Sequence, residues 1–246
     1  ELGAKVNVQN ANGDVKEQIS QIDYLISQNV DVIVIIAVDC EAISDAVKRA
    51  KNKGISVISY DRLIKNVDID LYISFDNETV GRDMGKAMKH ALPHGGKIFE
   101  INGSSADDNV IRVEKAFKQE ISKAGIDIVY SDYCKGWSAK AAGEYVEKAL
   151  EKYPDVDGIM CGNDDLASEV ARVLSENRLS GKVALIGQDA DLLACQRIVE
   201  GTQKMTEFKK VEELAKTAAY FAVKIAKGEK YYKAGDSGQK KDKDEK

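Results

Sequence analysis

The sequence predicts an α/β fold built on parallel sheets and divided into two domains. Three observations lead there. Short apolar runs alternate with longer segments of helical periodicity along most of the chain. Several of the runs are apolar at every position, as strands covered by helices on both faces are. The 246 residues also supply more such elements than one compact core accommodates.

The elements follow in order. Glu1 to Lys5 reads as the last turn of a helix closing on Gly3, with a strand at Val6 to Gln9 behind it. Asn12-Gly13-Asp14 supplies a turn and an N-cap. From Val15 to Gln28, the residues Ile19, Ile22, Leu25 and Ile26 fall at helical spacing and give one buried stripe. Val30 to Ala37 reads as a central strand, buried on both faces. A helix from Ala42 to Lys53 stops at Gly54, and strands follow at Ile55 to Tyr60 and Leu71 to Phe75. Next come a helix Glu78 to Ala91, a strand Lys97 to Ile101 and a helix Asn109 to Lys123. A strand Ile126 to Tyr130, a helix Ala139 to Lys152, a strand Gly158 to Cys161 and a helix Asp165 to Glu176 continue the rhythm. A strand Val183 to Gly187, a short helix to Val199, a strand Gln203 to Glu207 and a helix Val211 to Lys227 complete it. Pro93 and Pro154 fall between elements, where a missing N–H does no harm. We place the domain boundary near Asn102-Gly103: residues 1–102 with 210–230 form a first lobe, and 103–209 a second. Residues 231–246 form a charged tail with too few apolar side chains to order itself.

Composition narrows the function. The chain is 43% apolar and 31% charged, the make-up of a soluble globular protein, with a net charge of -5. That balance disfavours nucleic acid, which requires a basic face. No apolar run reaches the length of a membrane span, so direct membrane insertion is not expected. The chain does not begin with Met, so a targeting segment would lie outside this sequence. Four cysteines lie far apart with no CxxC spacing and read as small buried hydrophobes. His90 and His94, four residues apart, have metal-ligand spacing, but Pro93 breaks their helix, so no metal is expected there.

Polar residues recur where strands end. In an open parallel sheet, ligands sit outside the carboxyl ends of the strands. Tyr60 leads into Asp61 and Arg62, Phe75 into Asp76 and Asn77, and Gly103 towards Asp107 and Asn109. Tyr130 leads towards Trp137, Cys161 into Asn163 and Asp164, and Gly187 into Gln188, Asp189 and Asp191. Carboxylates, planar amides, a forked guanidinium and an indole together suit a small neutral polyol. Each hydroxyl both donates and accepts, and a sugar ring has an apolar face that an indole covers. Asp76, Asp107 and Asn163 also stand where helix caps belong; capping does not account for Arg62, Trp137 or Asp189. Other chemistries fit less well. GxGxxG, the P-loop lysine motif and GxSxG are all missing, so neither a cofactor nor a catalytic residue is expected. Paired carboxylates for glycoside hydrolysis fit poorly, because the acids stand beside amides rather than in apolar pockets.

Tyr60-Asp61-Arg62, Ile73-Ser-Phe-Asp-Asn77, Gly187-Gln-Asp-Ala-Asp191 and Gly201-Thr-Gln203 together resemble the motifs of the D-xylose-binding proteins of bacterial ABC sugar importers. These are type I periplasmic binding proteins, and the resemblance runs from about Glu1 to Gly228. It implies two Rossmann-like lobes with parallel sheets, joined by a hinge and closing on one pentose, with Gly103 and Thr206 to Lys209 as hinge candidates. It places the sugar contacts on Asp61, Arg62, Asp107, Asn109, Trp137, Asn163, Asp189 and Lys209. It further implies an extracytoplasmic setting, in the periplasm or lipid-anchored at the cell surface, with an ABC permease or a sensor kinase as partner. Members begin with a strand and helix that have no counterpart here, so the first lobe is expected to be incomplete, with unpaired edges inside its sheet. The alternative is the effector-binding core of a sugar-responsive transcriptional repressor, which shares the two-lobed architecture behind a DNA-binding headpiece.

Overall fold

The computed structural model describes residues 3–229. In chain order the elements are α1 (Val15–Ser27), β1 (Val32–Ile35), α2 (Ser44–Asn52), β2 (Ser56–Tyr60), β3 (Leu71–Ile73) and α3 (Asn77–Ala91). They continue with β4 (Gly96–Asn102), α4 (Asp108–Ile121), β5 (Ile126–Tyr133), α5 (Ala139–Lys152), β6 (Gly158–Cys161) and α6 (Asp164–Glu176). Last come β7 (Ala184–Gln188), α7 (Leu192–Glu200), β8 (Met205–Glu207) and α8 (Val211–Ala226). The charged tail and the residues Glu1 and Leu2 of the expected helix tail lie outside the described residues.

The chain divides into two compact units, one running to Ser74 and resuming at Val211, the other spanning Phe75–Lys210. In the first unit the sheet order is β1-β2-β3, and every pairing is parallel. Asp14 starts α1 by accepting from the backbone N–H groups of Lys16 and Glu17. Ile22 of α1 and Val47 of α2 then pack with Ile33, Ile35 and Val57 of the strands, while α8 packs on β1 and β2.

Two expectations for this unit are corrected. Val6 to Gln9 forms no strand, and Val6 and Val8 are exposed, because no neighbouring strand pairs with them among the described residues. The strand around Val32–Ile35 is not covered on both faces: Val34 is 45% exposed, and β1 stands at the sheet edge.

The second unit carries a five-stranded parallel sheet in the order β5-β4-β6-β7-β8. Consecutive strand residues face opposite ways, so the sheet sorts its side chains into two cores. Ile98, Met160 and Ile186 meet Met84 and Met88 of α3 and Phe117 of α4. Phe99, Ile101, Ile159 and Leu185 meet Val146 of α5 and Leu166 and Val170 of α6. Covering both faces of a parallel sheet gives the doubly wound arrangement, whose switch point lies where the chain leaves β4 and β6 in opposite directions.

The boundary expected at Asn102-Gly103 is therefore corrected to Ser74-Phe75. β4 pairs with β5 and β6, and α3 packs on α4, so both belong with the elements that follow them. Gly81 and Gly85, one turn apart on α3, permit that packing. A Cβ at Gly81 would lie 2.3 Å from the Val113 carbonyl oxygen, and one at Gly85 would lie 2.6 Å from the Glu120 Cβ. Gly103, a hinge candidate in the sequence, lies inside the second unit.

One buried acid in this unit has a measurable consequence. Glu100 on β4 is fully buried. Its Oε2 accepts from Ser131 Oγ at 2.8 Å and pairs with Lys118 at 3.1 Å, while Oε1 has no hydrogen-bond partner. Burial pushes its carboxyl up, against the opposing pull of Ser131 and Lys118. A carboxyl raised in the folded state stabilises the fold below its unfolded pKa and loses that contribution as pH rises through the folded one. Glu100→Gln is thus expected to raise the unfolding midpoint at neutral pH, by about 2–4 °C per kcal/mol recovered. The gain should shrink as the buffer is taken below the ordinary carboxylate range. Calorimetric scans at neutral and acid pH check this; a variant less stable than the parent at neutral pH would contradict it.

Candidate functional site

Every candidate residue of the second unit follows the carboxyl end of a strand, on one edge of the sheet. Asp107 and Asn109 come after β4, Trp137 after β5, Asn163 after β6, Asp189 after β7 and Lys209 after β8. Asp61 and Arg62 occupy the equivalent place after β2 in the first unit.

Local structure fixes each side chain. Asp107 caps α4, and its Oδ1 accepts the Asn109 backbone N–H at 3.0 Å. The Asn109 Oδ1 in turn accepts from Asn77 Nδ2 at 2.9 Å, which links the starts of α3 and α4. Asn163 caps α6 through the Leu166 N–H at 3.0 Å. The helix-cap role considered for Asp107 and Asn163 is therefore real. A cap engages one acceptor, and a carboxylate or amide keeps further hydrogen-bonding capacity.

Trp137 ends a short 3-10 turn, Lys135–Trp137, held by a bond from its N–H to the Cys134 carbonyl at 2.9 Å. Its six-membered ring lies against Gly103: a Cβ there would stand 2.3 Å from Cη2 and 2.4 Å from Cζ3. The missing side chain makes room for the indole at the end of β4. Asp189 Oδ1 lies 2.7 Å from Lys209 Nζ, and the same ammonium sits 5.7 Å from the centre of the Phe75 ring. In the first unit, the Asp61 N–H donates to the Ile73 carbonyl at 2.7 Å, and its own carbonyl accepts from Ser74 Oγ at 2.6 Å. Arg62 Nη1 donates to the Ala37 carbonyl at 3.2 Å.

Several of these positions have left-handed backbone. Asp61, Trp137 and Asp189 have φ of +60°, +60° and +107°, and Ala190 has +58°. A left-handed conformation at a residue other than glycine costs on the order of 1–3 kcal/mol and persists where surrounding bonds enforce it, commonly at ligand sites. Asn12, Asn29, Asn66 and Arg178 share the conformation away from the candidate residues; asparagine tolerates it, whereas tryptophan, alanine and arginine do not.

The sequence reading missed the support beneath Asp189. Buried Asp164 and Gln203 form a polar network behind it with half-buried Thr206, joined by Arg197 and Ser168. Asp164 reads in the sequence as one more polar residue at a strand end, and its partners lie far along the chain. The motif Gly201-Thr-Gln203 is a local sign of it. Burial pushes the Asp164 carboxyl up, while hydrogen bonds from Thr206 and Gln203 work against that shift.

The remaining polar and thiol groups add no second centre. Cys40, Cys134 and Cys161 are buried as expected, whereas Cys195 on α7 is exposed. His90 and His94 are exposed, and no cluster of His, Cys, Asp and Glu suited to a metal occurs among the described residues. No helix among them is long and apolar enough to cross a membrane.

Comparison with known proteins gives a consistent picture. Residues 1–230 match the model of the periplasmic binding protein domain. The chain is 43% identical over 234 residues to the D-xylose-binding periplasmic protein of Haemophilus influenzae, covering 93% of this chain and 70% of that protein. Its identity to the D-xylose-binding periplasmic protein of Escherichia coli is 42% over 233 residues, with the same coverage of 93% and 70%. Among solved structures, an ABC transporter solute binding protein from Mycobacterium smegmatis with bound glycerol superposes with a TM-score of 0.85. It is 29% identical, and the match covers 92% of this chain and 78% of that one.

Proposed function

The chain belongs to the periplasmic binding protein domain family, and from that premise we propose that it captures a monosaccharide, D-xylose, outside the cytoplasmic membrane without converting it. The observation that carries this reading is the row of carboxylate, amide, ammonium and indole groups along one edge of the second sheet. Asp107, Asp189 and Asn163 offer acceptors to hydroxyl hydrogens, Asn109 and Lys209 offer donors to hydroxyl lone pairs, and Trp137 covers an apolar ring face. In the first unit, Asp61 and Arg62 carry a carboxylate and a forked guanidinium just beyond β2, groups of the same hydroxyl-binding kind. The choice of D-xylose rests on the relatives at 43% and 42% identity, which are named for that sugar. A permease of the ABC class is the partner that receives the sugar in this reading; a membrane sensor kinase that reads sugar occupancy is the other receiver it allows.

Titration calorimetry of the intact protein with D-xylose, other pentoses and hexoses tests the proposal. D-xylose is expected to bind tightest, and the single tryptophan should change its emission on binding. No heat with any sugar, together with binding of another ligand class, would end the proposal.

A further inference from the structure

Asp164 is fully buried, and its carboxylate hydrogen-bonds to Thr206, Gln203 and the Asp191 backbone rather than to a group assigned to the sugar. Its Oδ2 accepts from Thr206 Oγ1 at 2.6 Å and from the Asp191 backbone N–H at 3.1 Å. Its Oδ1 accepts from Gln203 Nε2 at 3.0 Å. Gln203 is fixed in turn, because its Oε1 accepts from Arg197 Nε at 2.9 Å. Arg197 Nη1 donates to Ser168 Oγ at 3.0 Å, and Ser168 Oγ donates back to the Asp164 carbonyl at 2.8 Å. The carboxylate reaches this position because β7 carries Gly187 opposite it: a Cβ at Gly187 would lie 2.4 Å from Asp164 Oδ1.

The network ends on the strained turn that presents Asp189. Three successive amides are held there. The Asp189 N–H donates to the Glu207 carbonyl at 2.8 Å, the Ala190 N–H to Thr206 Oγ1 at 3.0 Å, and the Asp191 N–H to Asp164 Oδ2. An ionised carboxylate only accepts hydrogen bonds. The Thr206 hydroxyl must therefore point its hydrogen at Asp164, which leaves a lone pair facing the Ala190 N–H. The acid thus sets the direction of the Thr206 hydroxyl, and two of the three amides depend on the pair. With Asp189 at φ +107° and Ala190 at +58°, this turn relaxes unless something holds it.

We infer that Asp164 and Thr206 are positioning residues for Asp189: they set sugar affinity by locking the turn that carries the binding carboxylate, without contacting the sugar. The inference rests on the proposed sugar-binding reading. Thr206→Val keeps the shape of the side chain and removes the hydroxyl, and Thr206→Ser keeps the hydroxyl. Both are titrated with D-xylose in the intact protein, alone and combined with Asp189→Ala, and the unfolding midpoint is recorded for each. The expected result is a loss of affinity of roughly two- to tenfold for Thr206→Val, with parental affinity in Thr206→Ser. In the Asp189→Ala background, Thr206→Val should cause no further loss, because the group it positions is gone. A purely structural role would lower the unfolding midpoint and weaken binding equally in both backgrounds; that outcome overturns the inference, as does parental affinity in Thr206→Val. A parent protein that binds no sugar overturns the functional reading and the inference with it, whereas the first two outcomes leave that reading intact.

Discussion

Replacing Asp189 by Ala is expected to weaken D-xylose binding by about 10- to 150-fold. A hydrogen bond to a charged group contributes about 1.5–3 kcal/mol, and each 1.4 kcal/mol is about tenfold in affinity. The local arrangement argues for the upper part of that range. Asp189 pairs with Lys209 at 2.7 Å, and both side chains are largely covered, at 31% and 18% exposure. Removing the carboxylate takes away one proposed contact to the sugar and leaves the ammonium without the charge that holds it in place. Asp189→Asn keeps the shape and one acceptor oxygen but not the charge, so it should fall between the parent and Asp189→Ala. Titration calorimetry measures all three proteins directly. An Asp189→Ala variant within twofold of the parent would remove this residue from the proposed site.

Much of the fold is legible in the sequence because its signals are local. The helix at Ala139–Lys152 and the strand at Gly158–Cys161 occur where the apolar spacing puts them. The cap at Asp14 and the break at Gly54 depend on single residues and short-range bonds. The assignment of elements to units is not local. Lys97-Ile-Phe-Glu-Ile101 has the same apolar pattern whichever sheet it joins, and its pairing with β5 and β6 is decided by residues about 30 and 60 positions away. The glycine spacing at Gly81 and Gly85 was the available sign that α3 packs closely on a helix, but it did not say which one. The same limit explains Val6 to Gln9. An alternating apolar run has the propensity of a strand, and a strand forms only where another lends it hydrogen bonds.

The candidate residues divide in the same way. Their common edge follows from the strand-to-helix rhythm, since a polar residue just beyond a strand lies at its carboxyl end in any parallel sheet. The network behind Asp189 does not follow from that rhythm. Asp164 meets Gln203 and Thr206 across 39 and 42 residues of chain. In the sequence Asp164 is one strand-end polar residue beside Asn163, and nothing local shows that it is the more deeply buried of the two. Gly187 carried a sign of it, as a glycine inside a strand often marks a close approach by another group.

Gly103→Ala is expected to lower both stability and sugar affinity, through one side chain. The new Cβ would stand 2.3, 2.4 and 2.6 Å from Cη2, Cζ3 and Cζ2 of Trp137, distances at which the ring has to move. Gly103 has little room to retreat, because its N–H faces Gly162, where a Cβ would come within 2.5 Å of that nitrogen. Trp137 is no freer. Its turn is tied to β4 through the Cys134 N–H, which donates to the Asn102 carbonyl at 2.9 Å, and its own φ is already +60°. An indole is rigid, so the clash is relieved by displacing the whole ring rather than by a rotamer change at its tip. Overpacking of this kind costs about 1–3 kcal/mol, which for a chain of this size lowers the unfolding midpoint by about 2–4 °C per kcal/mol. In the proposed site, moving the indole also spoils its fit to the sugar face, so affinity is expected to fall. Because the protein has one tryptophan, the emission spectrum of the sugar-free variant reports the displacement without any ligand. A red shift accompanied by lost affinity places the indole in the binding face. A red shift with parental affinity would mean that Trp137 packs against β4 for stability and takes no part in holding the sugar.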